Sequence, residues 1–343
     1  MKRFLEGKGA MNIFISGVAG FLGSHLADAF LKEGHSVFGC DNLSGGYPEN
    51  VSPLVDWKVA DCCDLSSMLL LTRDIDVVYH CAATAYEGLS VFSPYHITKH
   101  IIGASVSLIT AAVQNNVKRF VYCSSMARYG KNDIPFREEM MPAPQDPYGI
   151  GKVTGEQMLR NLAKVHGMEY VIAVPHNIIG PRQKYDDPYR NVASIMINMM
   201  LQGRQPIIYG DGTQKRCFSF INDDVDTLAK FALTPGISGE IFNIGPDEEF
   251  VSINELAMVI AELLDFPLQP VYMPDRPQEV KLANCSADKI RAVFGYQTRY
   301  SLKEGIQEMI AYIREHGVKP FCYHIDLEIN NEKTPLTWKK QLF

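Results

Sequence analysis

Short apolar runs alternate with longer stretches of helical periodicity along most of this chain. From Asn12 the run NIFISG is β-branched and apolar; glycines follow, and FLGSHLADAFLKEG then places apolar residues at helical spacing. HSVFGCD comes at once as a second short apolar run. Strand, glycine turn, helix, strand is a βαβ unit. The alternation continues with strand-like residues 76–83, a helix-like stretch over 98–115, the strand-like RFVYCSS, a helix over 149–166 and the buried strand MEYVIAV. Strands alternating with helices predict an α/β fold: a Rossmann-like doubly wound parallel sheet with helices on both faces.

After Pro175 the pattern loosens into the loop PRQKYDDPYRN, a methionine-rich helical stretch over 192–201 and the turn YGDGTQ. SINELAMVIAELLDF and SLKEGIQEMIAYIREHG predict amphipathic helices whose apolar stripes face a core. The expected division is a mainly cofactor-binding Rossmann domain over 11–175, a smaller mixed α/β substrate-binding region over 176–320 that also completes the sheet, and a C-terminal extension over 321–343 with no clear period.

Composition narrows the partners. With 343 residues and 46% hydrophobic content the chain can bury a full core. A net charge of -6 gives no basic field of the kind that gathers nucleic acid or anionic membrane, so a small molecule is the expected ligand. The eight cysteines show no CxxC pair and no Cys/His spacing of a zinc site; no metal is expected, and the thiols fit a reducing compartment. No apolar run reaches the ~18 residues of a bilayer span. MKRFLEGKGA leads into a strand pattern rather than the apolar region of a signal peptide, so the expectation is a cytoplasmic protein in which residues before Met11 are an extension the fold does not need.

Gly17, Gly20 and Gly23 form GxxGxxG between the first strand and the first helix, which Phe21 and Leu22 open. A lone glycine triplet is a weak signal, and its place inside a βαβ unit raises it. There the backbone can approach a pyrophosphate, and the helix N-terminus offers free N–H groups and partial positive charge. Asp41 ends the second strand, where a carboxylate accepts the hydroxyls of an adenine ribose and repels a 2′-phosphate, which favours NAD over NADP; the competing reading is that it caps the turn DNLSGG. Asp61 is placed to reach the adenine amino group, or is a plain loop aspartate.

Tyr148 and Lys152 make YGIGK, four residues apart and so on one helical face, with the ammonium near the phenol. A free tyrosine loses its proton near pH ~10. The adjacent lysine and an oxidised nicotinamide are expected to lower that value and make Tyr148 a general base. Ser124 and Ser125 follow RFVYC at the carboxyl end of a parallel strand, where either hydroxyl can bridge Tyr148 and a reacting oxygen.

Together with HCAA at 80–83, SSMARYG at 124–130, PHNIIGPRQ at 175–183 and GDGTQKRCFSFINDDV at 210–225, the motifs GVAGFLG and YGIGK resemble the extended short-chain dehydrogenase/reductases, in particular their nucleotide-sugar epimerase and dehydratase branch. The resemblance covers about residues 12–315. It implies Ser125, four before Tyr129, as the catalytic hydroxyl beside Tyr148 and Lys152. It also implies Asn177 on the diphosphate or sugar, Arg216 and Arg276 near the nucleotide's phosphates and ribose, and Glu279 on the uridine ribose. An arginine fork suits a diphosphate, and the competing reading for these residues is a surface ion pair. Asn42, Cys62, Ala82 and Ala83 join the expected NAD contacts, while Ser124, Tyr86 and Glu87 are placed at the sugar pocket, the last two without a firm role. A homodimer through helices flanking the sheet is implied as well.

Two departures bear on chemistry. Met126 and Ala127 stand where dehydratases of this branch carry an acidic pair, which counts against 4,6-dehydration. His100 stands where asparagine is usual, before Ile101, Ile102 and Gly103. The implied activity is NAD-dependent 4-epimerisation of a UDP-hexose, UDP-hexuronic acid or UDP-N-acetylhexosamine through a transient 4-keto sugar. The alternatives are a dehydratase, a reductase or a decarboxylase of the same family, the last with Arg182, Lys184 or Arg190 gripping a sugar carboxylate, and more distantly a non-catalytic NAD-binding regulator.

Overall fold

The structure, a computed structural model, describes residues 9–343; the reading of the basic start at 1–8 lies outside the described residues. Strands β1 (Asn12–Ser16), β2 (Ser36–Asp41), β3 (Asp56–Val59), β4 (Val77–His80), β5 (Arg119–Cys123) and β6 (Glu169–Pro175) form one sheet with the strand Ile241–Ile244. Every pairing in it is parallel, and the order is Ile241–Ile244, β6, β5, β4, β1, β2, β3. The direction of winding reverses between β1 and β4. A crevice at the carboxyl ends of the strands is expected at such a point.

Strand residues alternate between the two faces, and the core follows that period. Ile13, Ile15, Val77, Tyr79, Val121 and Ala173 pack on one face with Leu26, Leu228, Ile260 and Ile306 from four helices. Phe14, Val78, Phe120, Tyr122 and Ile172 pack on the other with Met68, Leu108 and Leu159. Covered on both faces, these strands read as continuous apolar runs rather than as alternating ones.

The helix Pro147–His166 starts two residues earlier than the sequence reading placed it, because Asp146 caps it: its carboxylate accepts from the Gly149 N–H at 2.9 Å, with Pro147 in the first turn. Ser252 with Glu255 and Ser301 with Glu304 form capping boxes that open the helices Ile253–Leu264 and Leu302–His316. The stretch read as helical over 98–115 begins earlier too, at Pro94, and carries a π turn at Lys99–Gly103. By length and composition Pro94–Gln114 matches a membrane span, with 21 residues and a mean hydropathy of 1.2, which corrects the expectation that no run is long enough. Half of it is buried inside the fold, against the helices Leu65–Leu71 and Pro147–His166.

The tail that showed no period is ordered by packing. Ile325 and Trp338 join Tyr86, Leu89, Phe92 and Tyr189 in a separate apolar cluster, and the short helix Leu336–Lys339 lies there. His324 Nε2 stands 3.1 Å from the Tyr86 hydroxyl.

Candidate active site

A groove runs along the carboxyl ends of the central strands. Its middle is the glycine turn. Gly17 has φ 74, and a Cβ there would stand 2.8 Å from the Ala82 nitrogen; a Cβ on Gly23 would strike the Gly17 carbonyl. Gly20 opens the helix Phe21–Lys32 without a side-chain cap, and no acidic residue occupies the first turn, so its free N–H groups border the groove beside Phe21 and Leu22. Ala82 and Ala83 form the facing wall.

Asp41, Asn42, Asp61 and Cys62 line one end of the groove. Asp41 caps the turn, with Oδ2 accepting from Ala19 N–H at 3.0 Å and Oδ1 from Leu43 N–H at 2.7 Å, and it lines the groove. Burial raises its proton affinity, against the pull of those two amides. Asp61 accepts from the Cys63 N–H at 2.8 Å and faces His100, whose Nε2 lies 3.7 Å from its Oδ2. His100 thus becomes part of the groove wall, with Nδ1 2.8 Å from the His96 carbonyl. Asp61, Cys63 and His100 bring one potential ligand atom each within 4.8 Å of the others, a grouping that sequence spacing did not reveal. Burial pushes the Cys63 thiol up to about 12, so it offers no ready thiolate.

Tyr148 and Lys152 line the opposite end. The ammonium lies near the phenol without bonding to it: Lys152 Nζ donates to the Cys123 carbonyl at 2.7 Å and stands 6.0 Å from the Tyr148 ring centre. The protein's own groups do not lower the Tyr148 phenol. Burial raises its proton affinity well above the ordinary phenol range, the neighbouring carboxylates of Glu87 and Asp146 add to that, and the Ser125 hydroxyl pulls the other way. Burial also lowers Lys152, to about 8. Below the groove, His80 bridges Ser16 Oγ at 2.7 Å and Ser105 Oγ at 3.1 Å, and burial lowers it to about 3, so it is a neutral strut.

The two serines separate. Ser124 donates to Glu156 Oε1 at 2.5 Å, where Arg128 Nε also binds at 2.9 Å in a fully enclosed ion pair. Its hydroxyl proton is engaged inside the protein, while the residue itself lines the groove. Ser125 Oγ accepts from the Ala127 N–H at 3.2 Å and remains beside the phenol.

Beyond Tyr148 a second cavity is lined by Glu87, Asp146, Arg216, Arg276 and Glu279. Arg276 pairs with Glu279 at 3.1 Å, yet in the cavity wall rather than on open surface. Arg216 donates to the Val280 carbonyl at 2.6 Å. Glu87 is pushed up to about 7, by burial first and then by Asp146, while Arg216 and Arg276 oppose the shift. Tyr86 and Asn177 line neither the groove nor this cavity. Tyr86 donates to Asp187 Oδ2 at 2.9 Å, and Asn177 donates to the Cys217 carbonyl at 3.0 Å. Sequence reasoning missed Asp146, which the Asp-Pro pair signals, and gave Arg190 no place in the groove it lines.

The groove fits NAD on its own geometry: a turn with no room for Cβ atoms, an uncapped helix N-terminus beside it, and a carboxylate rather than a cation at the ribose end. Known proteins agree. The family described as NAD dependent epimerase/dehydratase matches residues 13–245. A UDP-glucose 4-epimerase of Mycolicibacterium smegmatis is 33% identical over 315 residues, covering 89% of this chain and 99% of the relative. A UDP-N-acetyl-alpha-D-glucosaminuronate decarboxylase of Bacillus cytotoxicus is 31% identical over 318 residues, 88% of this chain and 97% of the relative. Among solved structures, the UDP-glucose 4-epimerase of Thermotoga maritima with UDP-glucose has a TM-score of 0.83 and 31% identity, covering 89% of this chain and 99% of that one. With its parallel sheet, its glycine turn and the matched length, this chain belongs to the NAD-dependent epimerase/dehydratase family.

Proposed function

We propose that the protein is a UDP-sugar 4-epimerase that works through a transient 4-keto sugar. One observation carries the reading: Tyr148 lines the cofactor groove with the Ser125 hydroxyl bonded to its phenol, and Glu87 and Asp146, whose charge acts on that phenol, line the cavity bearing Arg216 and Arg276. A sugar anchored there by its diphosphate presents a hydroxyl to the phenol. NAD bound in the groove would supply the hydride acceptor, the later donor and, when oxidised, a positive charge. Tyr148 takes the proton of the 4-hydroxyl and returns it at the end of the cycle. Ser125 donates to the same oxygen while it is a carbonyl. Lys152 holds positive charge at the nicotinamide-ribose end, and Arg216 and Arg276 keep the nucleotide in place while the sugar turns. That the two relatives and the solved structure described above are named for UDP-linked sugars supports the nucleotide.

A second reading, dehydration, rests on Glu87. Although Met126 and Ala127 provide no acid, Glu87 titrates near neutrality in the cleft and can protonate a leaving hydroxyl. A homodimer is part of the proposal, supported by the exposed apolar Ile150 and Met158 on Pro147–His166, as is cytoplasmic residence; light scattering tests the former. The functional test is a proton NMR time course with NAD and UDP-glucose, UDP-N-acetylglucosamine or UDP-glucuronic acid. Interconversion of 4-epimers without net NADH supports epimerisation; a 4-keto-6-deoxy product supports dehydration; released carbon dioxide or accumulated NADH contradicts both.

A further inference from the structure

We propose that Arg190 is a cofactor-holding residue, its guanidinium closing over the pyrophosphate of bound NAD from the substrate-binding side of the cleft; this rests on the reading of the groove as an NAD site. Arg190 lies in the loop before the helix Val192–Leu201, outside the strands and turns that build the groove, yet it lines that groove. Its Nε is bracketed by a buried acid: Asp187 Oδ2 is 3.5 Å away, and the same oxygen accepts from the Tyr86 hydroxyl at 2.9 Å. The guanidinium carbon sits 5.0 Å from the Tyr86 ring centre, and Nη2 rests against Gly45, where a Cβ would collide with it.

Asp187 is the one carboxylate within ion-pair distance of Arg190 among the described residues, and it meets the Nε side. Nη2 rests beside Gly45, itself part of the groove lining, and neither terminal nitrogen hydrogen-bonds a carboxylate among the described residues. Their charge reaches Asp41 at one end and Tyr148 at the other, lowering the proton affinity of both. A pyrophosphate joining an adenine ribose at Asp41 to a nicotinamide ribose at Tyr148 must cross between them, past the glycine turn. On that path the helix N-terminus supplies only about half a unit of positive charge. Lys152, the other Lys or Arg lining the groove, is tied to the Cys123 carbonyl at the far end. Arg190 supplies the missing charge, in a planar fork suited to phosphate oxygens.

The test uses the full chain stripped of nucleotide and titrates NAD, ADP and adenosine by calorimetry. Arg190→Gln is expected to weaken NAD and ADP tenfold or more, to leave adenosine within twofold, and to flatten the salt dependence of NAD binding; Arg190→Lys should recover part of the loss. Gly45→Ala, which evicts the guanidinium from its seat without removing it, should weaken NAD and ADP in the same pattern and serves if Arg190→Gln does not fold. Equal loss for adenosine would overturn the assignment in favour of a groove-shaping role. Unchanged NAD affinity with a raised KM for UDP-glucuronic acid alone would overturn it in favour of a sugar-carboxylate contact. Failure of the unmodified protein to bind NAD or ADP removes the functional reading itself, whereas normal NAD binding by Arg190→Gln removes only the role of Arg190.

Discussion

The ammonium of Lys152 binds the Cys123 carbonyl at 2.7 Å and stands 6.0 Å from the ring centre of Tyr148, so the two act on one another through space and not through a hydrogen bond. In the proposed role of base, Tyr148 therefore needs a further positive charge, which ties its proton chemistry to cofactor occupancy. Tyr148→Phe is expected to keep NAD affinity while turnover falls by about 10²–10⁴, as read by calorimetry and NMR rates. Turnover within tenfold of the unmodified enzyme would assign the base elsewhere.

Lys152 also carries a stability signature. Its folded value, about 8, lies below the 10.5 of a free lysine. Between those values the cofactor-free folded protein binds fewer protons than the unfolded chain, so this group's contribution to stability rises with pH across that window. Relative to Lys152→Met, the unmodified protein should gain stability in denaturant titrations from pH 8 to 10, and a constant difference would contradict the buried ammonium.

Ser124 and Ser125 are neighbours with opposite assignments. Ser124→Ala leaves an oxygen of buried Glu156 short of a donor and should cost about 1–3 kcal/mol with kcat little changed. Ser125→Ala should leave stability nearly unchanged and lower kcat at least tenfold. Melting curves beside steady-state rates separate the two, and an exchange of these phenotypes would refute the assignment.

Glu87, raised from 4.5 to about 7, binds a proton in the folded protein that the unfolded chain has released between those values. Stability attributable to it is present below pH 4.5, falls as pH rises through the window, and is lost above 7. Glu87→Gln should therefore gain on the unmodified protein between pH 5 and 8, by on the order of 1–2 kcal/mol once the opening to the cleft is allowed for. A pH-independent difference would mean that its carboxyl titrates normally.

Trp338 is 4% exposed and pins the tail against Phe92 and Tyr189. Trp338→Ala should release about 3 kcal/mol of packing, seen as faster hydrogen exchange over 323–343 with exchange in β1 and β5 unchanged. Uniformly faster exchange would make the tail part of the main cooperative unit.

The sheet and the groove were legible because their signals are local. Apolar runs with their alternating faces, glycines at 17, 20 and 23, and the YGIGK spacing each depend on a few consecutive residues. What escaped depends on distant partners. The spent hydroxyl of Ser124 needs Glu156, 32 positions away, and the burial of Tyr86 needs Asp187 and His324, 101 and 238 positions away. The tail has no period because it fills a surface depression rather than forming a long element. The ammonium of Lys152 shows the same limit: helical spacing puts it on one face with Tyr148, and the Cys123 carbonyl on β5 decides what it bonds.

Epimerisation through a 4-keto sugar requires hydride removal and return at one carbon of the sugar. Epimerising UDP-glucose that carries deuterium at carbon 4 in ordinary water tests it most directly. Deuterium retained at carbon 4 of the 4-epimer, with NADH never accumulating, is the predicted result. Loss of the label to solvent would rule out hydride return, because it would mean that the carbon exchanges a proton rather than a hydride.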